Sequence, residues 1–317
     1  MVRVEGTTPS ASLLSRIRKG HIGGVILFGA NVSSAAQVAA LTATLQAAAA
    51  AGGQPPLLIA TDQEGGTIKR FPWAPPTLSP PQMGALASTS AARNQGLATG
   101  QALLGLGIDC DLAPAADVPI STNSFMYLQG RTWSFDPVIA ASLSNAFAHG
   151  LRLAGVVPVM KHFPGIGLAT QNTDSFVVTL SASQAALAPG LQPYLTAIAR
   201  GFPMIMLSNA TYTAYDPLHG AGWSRPIVNG LLRDQLGFRG VTITDSLSGT
   251  AKARGIPVST LALQAAIAGT DMILVTGSEA STEATYESML AAARAGSIQR
   301  TRLQASYDRI MALKATL

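Results

Sequence analysis

Apolar residues recur along the chain in eight short runs: Met1–Glu5, Gly23–Phe28, Leu57–Asp62, Ile108–Ala113, Val157–His162, Met204–Asn209, Val241–Asp245 and Met272–Thr276. Such runs are too short for core helices, and they have the near-continuous apolar character of strands buried on both faces. Between them lie longer Ala- and Leu-rich stretches with helical spacing. Ala35–Ala51 follows the second run, behind Ser33 and Ser34 as cap candidates. Helices are predicted over 91–106, 138–154, 183–200, 226–236, 260–268, 283–295 and 301–315.

Strand and helix alternate throughout, so the strands should lie parallel, each returned to its neighbour by a helical crossover. Eight such units predict a single α/β domain over residues 1–317, a (β/α)8 TIM barrel with an irregular first unit. A doubly wound open sheet is the competing architecture, but the first strand–helix turn carries no GxGxxG. No linker or composition shift marks a domain boundary.

Composition narrows the function classes. Of 317 residues, 48% are hydrophobic and 12% charged, enough to bury a large core and too apolar for a disordered chain. No apolar run approaches the ~18 residues of a membrane span. The net charge of +5 is mild, and no basic patch is interleaved with aromatics, so nucleic acid is not expected as a partner. The single cysteine, Cys110, lies inside an apolar run and reads as a small core residue. No metal-ligand spacing and no phosphate-cradling GxxxxGK occur, so neither metal nor cofactor is expected.

Barrel enzymes carry their chemistry at the C-terminal ends of the strands. Here those ends hold Asp62, Lys161 with His162, Asn209 and Asp245, and the long loop after the fourth strand holds Asp117 and Arg131. Each has a structural explanation to set against it. Asp245 could cap the next helix, Asp62 could belong to the DQEGG turn, and Arg131 could pin its loop through Asp136 or Asp117. Lys161–His162 is hardest to explain structurally, because an unpaired buried ammonium costs several kcal/mol. Taken alone, Asp174 is an ordinary loop residue, and His21, His149 and His219 fall away from the rim.

Several stretches together resemble glycoside hydrolase family 3, most closely its single-domain bacterial β-N-acetylglucosaminidases. They are GGVILFGANV (23–32), ATDQEGGTIKRF (60–71), IDCDLAPAADV (108–118), GRTWSFDP (130–137), KHFPGIG (161–167), TDSF (173–176), SRPIVNGLLRDQLGFRGVTITDSLS (224–248) and AGTDMILV (268–275). The resemblance implies a carbohydrate substrate and a retaining mechanism with Asp245 as nucleophile. It also implies that Asp62, Arg70, Arg131, Lys161 and His162 hold the sugar hydroxyls.

One position departs from the pattern. Where that branch carries aspartate–serine–histidine, with the histidine as general acid/base, this chain reads Asp174–Ser175–Phe176. Phenylalanine has no proton to give. The remaining carboxylates expected near the rim are Asp174, Glu64, Glu279 and Glu283, of which Asp174 is the simplest substitute. Three functions stay open: a glycosidase with an altered acid, a degenerate barrel that binds a sugar without cleaving it, and a lyase using Lys161 as a Schiff base.

Overall fold

The computed structural model describes residues 1–317. Its centre is a curled seven-stranded parallel sheet whose spatial order follows the sequence: β1 (Val2–Arg3), β2 (Gly24–Leu27), β3 (Leu58–Thr61), β4 (Cys110–Asp111), β5 (Val157–Phe163), β6 (Met204–Leu207) and β7 (Val241–Thr244). Side chains alternate between two environments, as a period of two demands. Leu58 and Ala60 join Ile26, Cys110, Val159, Met206 and Ile243 in one cluster, whereas Leu57 and Ile59 face Leu41, Leu45 and other helix residues. Both faces are therefore buried.

The eighth apolar run departs from expectation. Met272–Thr276 forms no ladder strand; it makes one parallel bridge to β7 (Ile243 with Met272) and one to β1 (Val2 with Val275). Side chains take bonds that a ladder would otherwise claim. The Leu274 amide donates to Thr244 Oγ1, and the Thr242 amide donates to the Asp271 carboxylate.

Helices fall close to the sequence expectation, with their starts set by caps. Ser34 accepts from the Gln37 amide and opens Ala35–Ala51, while Asp136 accepts from the Val138 and Ile139 amides and opens Pro137–Leu153. Ser88 starts Thr89–Leu104, two residues ahead of the predicted start, and Ser278 starts Glu279–Arg294. Thr89–Leu104 packs tightly on Pro137–Leu153: a Cβ on Gly96 would stand 2.0 Å from the Phe147 carbonyl oxygen. Ala11–Arg18 fills the irregular first unit, and three short helices lie outside the predicted ranges: Pro80–Leu86, Phe125–Leu128, and Leu247–Arg254 directly after β7. No helix is long and apolar enough to cross a membrane.

At the end of the sheet opposite the β7–helix turn, Asp271 accepts hydrogen bonds from Arg233, Arg302 and Arg309 at 2.6, 2.7 and 3.0 Å. Its carboxylate is fully buried and tethers the last helix, Arg300–Lys314, to β7. Burial opposes its charge, but the guanidiniums outweigh burial and hold Asp271 below the ordinary carboxylate range.

Candidate active site

Asp62, Arg70, Arg131, Lys161, His162, Asp174 and Asp245 all line one cavity of about 210 Å3. That is small beside the roughly 300–1,000 Å3 of pockets for drug-sized ligands, and suits a ligand the size of one sugar ring. Residues from five different strand ends or loops meet there, although no two neighbouring groups lie closer than eight positions in sequence except Lys161 and His162.

The DQEGG segment supplies two carboxylates to the same face, because Asp62 and Glu64 are two residues apart in extended chain. Lys161, at the end of β5, donates to Asp62 at 2.8 Å and pairs with Glu64 at 2.7 Å. Arg70 takes the other Asp62 oxygen at 3.0 Å. Arg131 reaches across from the long loop and grips Glu64 with two parallel bonds of 2.8 Å, a bidentate pairing. Burial works against every charge in this cluster, yet the partners prevail. Asp62 and Glu64 lie below the ordinary carboxylate range, while Lys161 and Arg131 lie above theirs.

Glu64 is therefore no proton donor. It is buried, doubly paired and held ionised. Arg131 does pin its loop, but through Glu64 rather than Asp136 or Asp117. Nor do Glu279 and Glu283 reach the cavity; Glu279 instead accepts from Ser10 Oγ at 2.7 Å. Of the carboxylates weighed from sequence as a substitute acid, Glu64 and Asp174 line the cavity, and Asp174 alone is free of an ion pair.

His162 is fixed from behind. Its Nδ1 lies 2.8 Å from Asp117 Oδ2, and the other Asp117 oxygen accepts from the Ile166 amide at 2.8 Å. With Nδ1 engaged, Nε2 is the ring nitrogen left for a ligand. Asp117 was legible only as a loop carboxylate; its pairing depends on a turn that brings residues 45 positions apart together.

Asp245 follows β7 and is not a helix cap. Its Oδ1 accepts from the Ser246 amide at 2.7 Å, and the next helix begins behind Ser246. Asn209, at the end of β6, bridges this turn to the loop opposite: its Nδ2 donates to the Ser246 carbonyl at 3.0 Å and to Asp174 Oδ1 at 3.3 Å. Gly249 permits the close approach, since a Cβ there would lie 2.2 Å from the Asp174 carbonyl oxygen. Asp174 is an exposed residue whose carboxyl end is partly desolvated against Asn209 and the cavity wall. That desolvation, and next the negative charge of Asp245, raise its pKa to about 7. Phe176, two residues on, is half exposed and does not line the cavity; its amide donates to the Asn172 carbonyl at 3.0 Å.

Two carboxyls at one cavity beside a cluster of ionised side chains able to bond hydroxyls is an arrangement suited to glycosidic bonds. Comparison with known families decides the assignment. A profile described as "Glycosyl hydrolase family 3 N terminal domain" matches residues 1–313.

The chain belongs to glycosyl hydrolase family 3.

This family 3 domain is 35% identical to an uncharacterized secreted glycosyl hydrolase of Arthroderma benhamiae, over 100% of the chain and 91% of the relative. It is 31% identical to a beta-hexosaminidase of Xylella fastidiosa, over 87% of the chain and 82% of the relative. Among solved structures, a family 3 β-N-acetylglucosaminidase from Paenibacillus sp. superposes over 100% of the chain with TM-score 0.94 and 31% identity; this domain spans 60% of that protein. The β-N-acetylhexosaminidase of Beutenbergia cavernae matches over 99% of this chain and 96% of its own, with TM-score 0.91 and 33% identity. By family this is a glycosyl hydrolase.

Proposed function

We propose that the domain is a retaining hydrolase of β-linked sugars, N-acetylglucosaminides or glucosides, with Asp245 as nucleophile and Asp174 as general acid/base. The observation that carries this reading is the pair of carboxyls at one cavity, one of them made a weak acid by its surroundings. A group titrating near neutrality can both give and take a proton at working pH.

In the first step the Asp245 carboxylate attacks the anomeric carbon while Asp174 gives its proton to the leaving oxygen. The aglycone departs and a glycosyl ester remains on Asp245. In the second step Asp174, now a carboxylate, takes a proton from water, whose oxygen attacks the same carbon and restores free Asp245. Two inversions give net retention, and the negative charge of Asp245 favours the oxocarbenium-like transition states. Asp62, Arg70, Arg131, Lys161 and His162 bind the ring hydroxyls, through charge-assisted bonds that are roughly twice as strong as neutral ones.

In this reading the sheet is a complete (β/α)8 barrel, with Met272–Val275 in the eighth place. The single bridges to β7 and β1 support it. The alternative is a sugar-binding barrel that no longer hydrolyses, favoured by Phe176 standing where the resembling branch keeps its acid. A Schiff-base lyase is disfavoured because two carboxylates hold Lys161 as an ammonium, and the nucleophile must be the free amine.

Assay of activated aryl β-glycosides separates the first two. Turnover that is lost in Asp245→Ala supports the hydrolase. Equal rates in wild type and Asp245→Ala, with sugar binding retained by calorimetry, support the binding protein.

A further inference from the structure

Asp111 is a buried carboxyl that neither the ionic cluster nor the chemistry described above employs. It closes β4, is fully inaccessible to solvent, and has two oxygens in different situations. Oδ1 accepts from the Gln63 amide at 2.9 Å, while Oδ2 has no partner at all. An ionised carboxylate so placed would be an uncompensated buried charge, a costly state. A neutral acid is the form that such a site tolerates.

The residue it holds is a pivotal one. The Gln63 peptide lies between Asp62 and Glu64, the two carboxylates that share Lys161. The Gln63 side chain in turn accepts from the Phe71 amide at 3.0 Å and donates to the Phe71 and Pro75 carbonyls at 3.0 and 2.9 Å. It thereby anchors the segment that carries Arg70. One hydrogen bond from β4 thus sits behind three of the groups assigned to the sugar, Asp62, Arg70 and Lys161.

We propose that Asp111 is a positioning residue for the sugar-binding cluster: as a neutral acid it fixes the Gln63 peptide, and when it ionises it loosens the joint hold of Asp62 and Glu64 on Lys161. The inference rests on the glycosidase reading and extends it. The charged groups that act on Asp111 are Lys161, which favours ionisation, and Asp62 and Glu64, which oppose it. Burial is the largest influence, and the net effect raises its pKa to about 8. A new anion beside the cluster would compete for Lys161 and repel both carboxylates that now hold it. Sugar affinity should therefore fall on the alkaline side, by a route separate from the titration of Asp174 near pH 7.

The test is affinity for a free monosaccharide, N-acetylglucosamine or glucose, by calorimetry at pH 6.5 and pH 9 in wild type and Asp111→Asn. The asparagine keeps an acceptor for the Gln63 amide and cannot ionise. Wild type is expected to weaken by at least fivefold between the two pH values, and Asp111→Asn by less than twofold. KM for an activated aryl glycoside should follow the same pattern, while the alkaline decline of kcat stays the same in both. A merely structural role would alter kcat, KM and stability together at every pH. Equal pH dependence in the two proteins overturns the assignment and leaves the glycosidase reading intact. No sugar binding by wild type at pH 6.5 overturns both. Should Asp111→Asn fail to fold, wild-type affinity alone decides, since a flat profile from pH 8 to 9 contradicts the proposal.

Discussion

Asp174 and Asp245 are the same side chain in two surroundings, and the proposed mechanism rests on giving them different roles. Crowding and the charge of its neighbour hold Asp174 protonated to about pH 7. Asp245→Asn removes that neighbouring charge, so the Asp174 pKa should fall; carboxyl carbon NMR would read the shift. Asp174→Asn should lower kcat/KM by about 10²–10⁴ on poor leaving groups and far less on activated ones, whose departure needs little protonation. Because the acid must carry its proton, activity in the wild type should decline as pH rises through about 7. Phe176→His returns a proton carrier to the loop and should speed the cleavage of poor leaving groups. At this scale the sequence was informative wherever a scarce charge closed an apolar run, as with Asp62, Lys161, His162 and Asp245. It was silent where the role depends on a partner distant in the chain. Glu64 looked like a spare acid until Arg131, 67 residues away, was seen to clamp it.

Among the elements, the turns that follow the strands are as constrained as the strands. Lys161 is nearly inaccessible and pairs with two carboxylates, so Lys161→Met strands both of them and should cost about 3–5 kcal/mol in denaturant unfolding. Helix starts are weaker points: Asp136→Ala removes two capping bonds and should cost about 0.5–2 kcal/mol by the same measurement. Strand order and most helices were legible because apolar period and cap residues are local signals. The eighth run was not legible in detail. Its composition is that of a strand, but the Asp271 carboxylate and the Thr244 hydroxyl take the Thr242 and Leu274 amides, and that diversion is a tertiary event.

For the molecule as a whole, buried carboxyls of two kinds set opposite dependences on pH. Asp62, Glu64 and Asp271 have folded pKa values below the unfolded ones, so their contribution is present above about pH 4 and lost as pH falls. Asp109 and Asp111 are raised by burial to about 7 and about 8, so they stabilise the fold at low pH and lose that contribution as pH rises through those values. The two trends together place maximal stability on the mildly acidic side, far from the sequence pI of about 9.6. Denaturant midpoints at pH 5, 7 and 9 should fall in that order, and Asp111→Asn should flatten the drop between 7 and 9.

The pairing of a carboxylate nucleophile at residue 245 with a proton carrier at residue 174 can be caught directly. Incubation with a fluorinated β-glycoside bearing an activated leaving group slows the second step, and digestion with mass spectrometry then locates any trapped sugar. The expected result is one glycosyl group esterified to Asp245, which forms with inactivation and disappears as activity returns. A fully active enzyme with no adduct, or a sugar attached to any other side chain, would contradict the mechanism.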